Sequence, residues 1–272
     1  MSIINQITGG VCTGPAKPKD DGLTVYGSRQ QPTDVRQRVY DFRRYPKADQ
    51  DEVLSGVDGA VVRLSGVVIL GGIKAVLAGN GDHPGNDMSY AQWLQEDCVI
   101  IGAGRRCPKA QDGTTVIMRR CWVHDFGQTF NARAFGGWAH RGARIIAEDS
   151  LFTQGEIWPW GLDILAAIKD LGNHIGQAVN DHGLSALLHP RTYLPGPCRG
   201  LTADTGGLVL ATRCYRNRPW IKIDGCNNYI DRAAARKIVK QIEAICPDMT
   251  ERLGQPLTGF FDIVMRRSHG GG

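Results

Sequence analysis

Between residues 56 and 153 short apolar runs alternate with polar, glycine-rich breaks. "GAVVRLSGVVILGG", "KAVLAG", "DCVIIGAG", "TTVIMRRCWVHD" and "ARIIAEDSLF" follow one another, and "GGLVLATRC" and "PWIKIDGC" resume the texture further on. Each run is bounded by Gly, Asn, Asp or Pro, the punctuation expected of strands. Ile100, Ile117 and Ile146 recur at irregular intervals, but of the size of one coil per repeat. No long helical pattern interrupts this stretch, which argues against βαβ units. Short strands joined by polar loops are what a parallel β-helix needs, because each coil buries its inward residues on the coils above and below. The pattern therefore predicts an all-β parallel β-helix with flanking α-helices.

Two segments carry helical spacing instead. Over 161–179, Leu162, Leu165, Ile168, Leu171 and Ile175 form one apolar stripe. Over 232–245, Ala235, Ile238, Ile242 and Ile245 do the same, after Asp231 as N-cap and before Pro247 as a stop. Both are expected to pack on the solenoid and cover exposed strand edges. Residues 1–55 are rich in Gly, Pro and charge with weak periodicity and are expected to form an irregular N-terminal arm or cap, leaving 56–272 as the β-helix domain.

Composition narrows the picture. The chain has 272 residues, 42% hydrophobic and 22% charged, which is enough for a buried core and excludes general disorder. Its 35 glycines imply many tight turns without a collagen period. A net charge of +5 suits an acidic partner such as a polyuronate, a sulfated glycan or nucleic acid, and equally suits a mildly basic globule. No stretch reaches the apolar length of a membrane span, and residues 1–22 lack the basic and apolar regions of a signal peptide. Localisation stays open among secreted, cytoplasmic and phage-associated. The eight cysteines form no CxxC pair, so a zinc ribbon or redox motif is not expected, and those in strand-like runs are read as buried thiols.

In "VIMRRCWVHD", strand alternation sets Val116, Met118 and Arg120 on one side and Ile117, Arg119 and Cys121 on the other. One arginine would point inward, so the chain must bend here, at a corner between two sheets. The "DG" at 112, this run, a short loop and "ARIIAEDSLF" together resemble the pectate lyases and their right-handed parallel β-helix superfamily, over about residues 95–155. That resemblance implies β-elimination on an acidic, pectate-like polysaccharide, with calcium as cofactor and with neither nucleic acid nor a membrane as partner. On that pattern Asp112 and Asp125 are expected as metal ligands, Arg141, Arg119 and Arg133 as catalytic cations with Arg141 as base, and Arg120 and His124 as substrate contacts. In "NARAFGGWAHRGAR", Trp138 and His140 beside Arg133 and Arg141 are expected to form a substrate-binding sugar-acid surface. Where the family carries a further acidic pair, this chain has the amides Gln128 and Asn131.

The alternative is a non-catalytic, glycan-binding β-helix of a phage tail or surface structure. A hydrolase using paired aspartates lacks a close Asp–Asp pair in the strand region. The loop "GNGDHPGND" offers Asp82, His83 and Asp87 to a cation or sugar, and reads more readily as a solvated turn.

Overall fold

The computed structural model describes residues 23–26, 32–42, 52–57, 59–72, 74–79, 91–103, 106–126, 135–154, 199–219, 221–246 and 249–269. Strands run in sets of three, and each set is one coil. The first coil holds β1 (Leu23–Tyr26), β2 (Thr33–Arg36) and β3 (Val39–Phe42), and the second β4 (Glu52–Val57), β5 (Val61–Ser65) and β6 (Val68–Gly71). The third holds β7 (Lys74–Ala78), β8 (Gln92–Glu96) and β9 (Val99–Ile101), and the fourth β10 (Lys109–Gln111), β11 (Thr115–Arg119) and β12 (Trp122–His124). β13 (Phe135–His140), β14 (Arg144–Glu148) and β15 (Leu151–Thr153) make the fifth; β16 (Arg199–Ala203), β17 (Leu208–Thr212) and β18 (Tyr215–Arg216) make the sixth. Corresponding strands stack in parallel into three six-stranded sheets: A (β1 to β16), B (β2 to β17) and C (β3 to β18). This is a parallel β-helix.

The stack begins earlier than the sequence pattern suggests. β1, β2 and β3 lie within the expected N-terminal arm, yet they pair with β4, β5 and β6 as a regular first coil. Among the residues whose burial is described, Val35, Tyr40 and Phe42 are its buried hydrophobic side chains, and its strands are only four residues long. The expected helix at 161–179 lies outside the described residues.

Side chains pointing into the solenoid form columns. On sheet B, Val62, Trp93, Val116, Ile145 and Val209 stack in register, as do Leu64, Gln95, Met118, Ala147 and Ala211. Repetition at about 4.8 Å makes each aliphatic residue pack on its own kind.

The corner between sheets B and C takes a left-handed residue in every coil: Gln37, Gly66, Asp97, Arg120, Asp149 and Arg213, with φ between 48° and 64°. This is the bend that "VIMRRCWVHD" demands. It lets Arg120 point outward while Cys121 turns into the core. The corner between A and B in the last three coils uses two successive left-handed residues, Asp112–Gly113, Arg141–Gly142 and Thr205–Gly206, the conformation of a type I′ turn.

Sheet C is apolar on both faces. Its outer residues Val68, Leu70, Val99, Ile101, Trp122, Leu151 and Tyr215 are buried under α1 (Arg232–Ile245), α2 (Met249–Leu253) and α3 (Leu257–His269). The helix expected at 232–245 is present; it covers a sheet face rather than strand edges. Asp231 caps it, accepting from Ala234 N–H at 2.8 Å. Trp122 sits between sheet and helices, 5.5 and 5.6 Å from the Phe260 and Phe261 rings, and its Nε1–H donates to Thr153 Oγ1 at 2.7 Å. Arg236 Nε and Nη2 donate to both Asp262 oxygens, at 3.0 and 2.9 Å, tying α1 to α3.

Trp122→Ala is expected to cost roughly 3–5 kcal/mol, the usual loss for a buried aromatic, and Asp231→Ala about 1 kcal/mol, both read by urea denaturation. The hydrogen bond from Arg236 holds Asp262 below the ordinary carboxylate range. A carboxyl depressed on folding contributes stability at neutral pH that is lost as pH falls through its folded value. Asp262→Asn should therefore lower the melting temperature at pH near 7 and change little in strong acid, where the wild-type pair is already broken.

Candidate functional site

The residues singled out by the sequence fall on five different parts of the solenoid. Arg119 lies on the outer face of sheet B, 3.6 Å from Glu96 Oε1 on one neighbouring coil, with its Nε–H on Glu148 Oε2 at 3.1 Å on the other. Arg120 stands at the B–C corner and donates to both oxygens of Asp97, at 2.7 and 2.9 Å. The hydrogen bond to Asp97 raises Arg120 further above its ordinary pKa. Two coils on, Arg213 Nη2 pairs with Asp149 Oδ2 at the same corner. These arginines form a charge ladder along the solenoid.

His124 and Asp125 end sheet C beneath the helices. His124 has no exposed surface. Its Nδ1 lies 2.9 Å from Thr153 Oγ1, and its ring meets Phe260 edge-on at 5.2 Å. Nε2 comes within 3.2 Å of Asp125 Oδ2, but off-axis, so no formed hydrogen bond satisfies it. Asp125 is 6% exposed and left-handed (φ 49°), a turning residue between sheets C and A.

Asp112 and Arg141 share the A–B corner on successive coils, with Arg141 Nη1 3.7 Å from Asp112 Oδ1, a loose ion pair. The fold thus sets Asp112 and Asp125 at opposite edges of sheet A. Six residues, Phe135–His140, span that width, close to 20 Å at about 3.3 Å per residue. Ligands of one calcium ion must all lie within about 2.3–2.6 Å of it, so these two carboxylates do not fit a shared ion. Among the described residues no group of three or more His, Cys, Asp or Glu side chains is placed to hold a metal. Arg133, Gln128, Asn131 and the 80–90 loop with Asp82, His83 and Asp87 lie outside the described residues.

Trp138 and His140 do come together, on the outer face of sheet A, with partners that sequence reasoning missed. Parallel register aligns Lys109, Trp138 and Thr202 in one column and Gln111 with His140 in the next. Alternation turns Ala110 and Ala139 inward, with no exposed surface, and these polar neighbours outward. Trp138 is 3% exposed. Arg106 Cζ lies 4.3 Å and Lys109 Nζ 5.6 Å from its ring centroid, and His140 stacks on it at 4.5 Å. His140 Nδ1 is hydrogen-bonded to Asp204 Oδ1. Asp224, in the last turns of the solenoid, accepts from Thr202 Oγ1 at 3.0 Å and lies 2.8 Å from Lys222 Nζ. Burial works to raise Asp224, but the bonds from Lys222 and Thr202 outweigh it and leave its pKa below the ordinary value.

Arg106 and Lys109 are buried and engaged within the chain. Two donors beside them are not: Trp138 Nε1 and Gln111 Nε2 are buried without any hydrogen-bond partner. A buried orphan donor costs about 1–3 kcal/mol, so an acceptor reaching this face would recover that energy. The exposed rim is His140, Asp204 and Arg141, with side chains 19%, 50% and 54% exposed. The available signal was a repeated pentad, "KAQDG", "WAHRG" and "TADTG", in which a fixed alanine marks the inward position.

Comparison of the chain with known family models, curated proteins and solved structures gives no match.

Removing Arg120 would leave Asp97, whose side chain is 6% exposed, without its bidentate partner. Arg120→Ala is expected to cost on the order of 2 kcal/mol in chemical denaturation. A ladder residue should do this without altering ligand binding, whereas a substrate contact should alter binding and leave stability nearly intact.

Proposed function

We propose that the protein binds an acidic polysaccharide on the outer face of sheet A as a non-catalytic parallel β-helix. The observation that carries this reading is the pair of orphan donors, Trp138 Nε1 and Gln111 Nε2, set among cations and rimmed by His140 and Asp204. Hydroxyl and carboxylate oxygens of a uronate would accept from these donors, and the basic surroundings favour the anionic chain.

The likeness to the pectate lyases supports the same ligand class. Elimination on that pattern is the second reading. It is favoured by Arg141, largely exposed and only loosely held by Asp112 at the same edge as His140. Two features weigh towards binding alone: Arg119 and Arg120 are committed to ion pairs, and Asp112 and Asp125 stand on different corners. No step through calcium follows from that arrangement.

The test is affinity electrophoresis and calorimetry with a panel of polyuronates, alongside ultraviolet absorbance of unsaturated product with and without calcium. Retardation without product is expected. Gln111→Leu and His140→Ala should each weaken binding about tenfold, one hydrogen bond of ~1.4 kcal/mol, with melting temperatures little changed. Product formation lost in Arg141→Lys would establish elimination instead. Binding to none of the panel would end the polysaccharide reading.

A further inference from the structure

Three outward positions line up at the A–B edge of the last three coils. The register pairs Gln111 with His140, and Asp204 follows Ala203, the partner of Ala139. The third residues of "KAQDG", "WAHRG" and "TADTG" therefore form one column of an amide, an imidazole and a carboxylate. The backbone holds Asp204 in place: its N–H donates to Ala139 O at 3.0 Å, and its carbonyl accepts from Gly207 N–H at 2.8 Å.

The His140 ring is fixed on two sides. It stacks on Trp138, with centroids 4.5 Å and planes 30° apart, and its Nδ1 is bonded to Asp204 Oδ1. An ionised carboxylate only accepts, so the proton of that bond belongs to Nδ1, and Nε2 of the neutral ring is left as an acceptor. Among the described residues no hydrogen bond reaches Nε2, and the His140 side chain is 19% exposed. One coil back, about 4.8 Å away, Gln111 is buried and its Nε2 lacks an acceptor. An open acceptor and an unmet donor thus stand side by side without satisfying each other. A hydroxyl both accepts and donates, so a sugar hydroxyl completes both. A carboxylate oxygen completes the donor alone and faces the Nε2 lone pair with its own.

We propose that Asp204 is a positioning residue: it fixes His140 in the Nδ1–H tautomer, so that the outer face of sheet A selects polyanions carrying hydroxyls over bare polyanions. This rests on the polysaccharide reading and adds the basis of its selectivity. It also accounts for a half-exposed carboxylate at the rim of a face that binds anions. On charge alone Asp204 opposes an anionic ligand, and its removal should strengthen binding. As the holder of the tautomer it supports binding, and its removal should weaken it.

The test uses the full chain at pH of about 8.5, above the ordinary imidazole value of about 6.5. Long-range nitrogen–proton correlation spectra of the free protein show which ring nitrogen carries the proton, and His140→Gln identifies the signal to follow. Wild type is expected to carry it on Nδ1. Asp204→Ala should move it to Nε2 and weaken polygalacturonate binding about tenfold. Asp204→Asn, which keeps an acceptor oxygen without the charge, should retain both tautomer and affinity. Polyglutamate, a polyanion without hydroxyls, should bind wild type more weakly than polygalacturonate does, and should gain affinity in Asp204→Ala. The backbone bonds of Asp204 survive each substitution, so all variants should fold as wild type by circular dichroism. A wild-type ring protonated on Nε2 would overturn the proposal. So would tighter polygalacturonate binding by Asp204→Ala, or lost affinity in an Asp204→Asn protein that keeps the Nδ1 proton. The tautomer is read without ligand, so it stands apart from the polysaccharide reading. Absence of polygalacturonate binding by wild type would sink that reading and the selectivity with it.

Discussion

One left-handed residue at the B–C corner, in the same place on all six coils, is the constraint from which the rest of the solenoid follows. Without it strand alternation would carry Arg120 into the core and Cys121 out of it. A non-glycine residue in that conformation costs roughly 1–2 kcal/mol, and only Gly66 avoids the cost. The stack offsets it coil by coil. Gln37 N–H donates to Ser65 O, Asp97 N–H to Arg119 O, Arg120 N–H to Glu148 O and Asp149 N–H to Thr212 O. The side chains then add the Asp97–Arg120 and Asp149–Arg213 pairs. Strain within one coil is relieved only by its neighbour, which is why a single coil would not hold this shape.

The corner also accounts for the small residues that follow it. Val67, Cys98, Cys121, Ser150 and Cys214 fill the inside of successive bends, all buried. Cys121 Sγ–H reaches Gln95 O at 3.3 Å, and Ser150 Oγ accepts from Cys121 N–H at 3.2 Å. A thiol is small, apolar enough for the core and able to make a weak hydrogen bond to a carbonyl. Four of the cysteines are thus explained by packing, counting Cys246, whose thiol bonds Gly66 O from the helical layer at 3.1 Å. Cys226 differs because no full coil lies beyond it.

The architecture was readable because "VIMRRC", "RIIAEDS" and "LVLATRC" alternate cleanly and break at the same point. α1 was readable from Asp231 and an apolar stripe at helical spacing. The first coil was hidden by the charged and polar residues in and around its four-residue strands, among them Asp34, Arg36, Arg38 and Asp41. The site was harder for a geometric reason. Asp112 and Asp125 are close in sequence, but in a solenoid residues a third of a coil apart belong to different faces. Spatial neighbours are a whole coil away: His140 meets Asp204 across 64 positions and Arg119 meets Glu148 across 29. Such unequal intervals hide the repeat from any fixed period, and only the inward alanines at 110, 139 and 203 bring "KAQDG", "WAHRG" and "TADTG" into line.

Each face of the solenoid then has a different physical role. Sheet C is apolar outside as well as inside and is closed by three helices, so its His124 is held in place by Trp122, Thr153 and Phe260. Sheet B is solvated: Leu94, Ile117, Ile146 and Leu210 form an aliphatic row in register, bordered by the Glu96–Arg119–Glu148 ion pairs. Charges on a sheet face beside an apolar row oppose association through that row. On sheet A, Trp138 Nε1 and Gln111 Nε2 are buried without a hydrogen-bond partner beside the buried cations Arg106 and Lys109. Orphaned polar atoms also occur inside the solenoid, at Trp93 and Gln95, and under the helices at His124. It is therefore the cluster of Arg106 and Lys109 around Trp138, rimmed by the exposed Asp204 and Arg141, that sets this face apart.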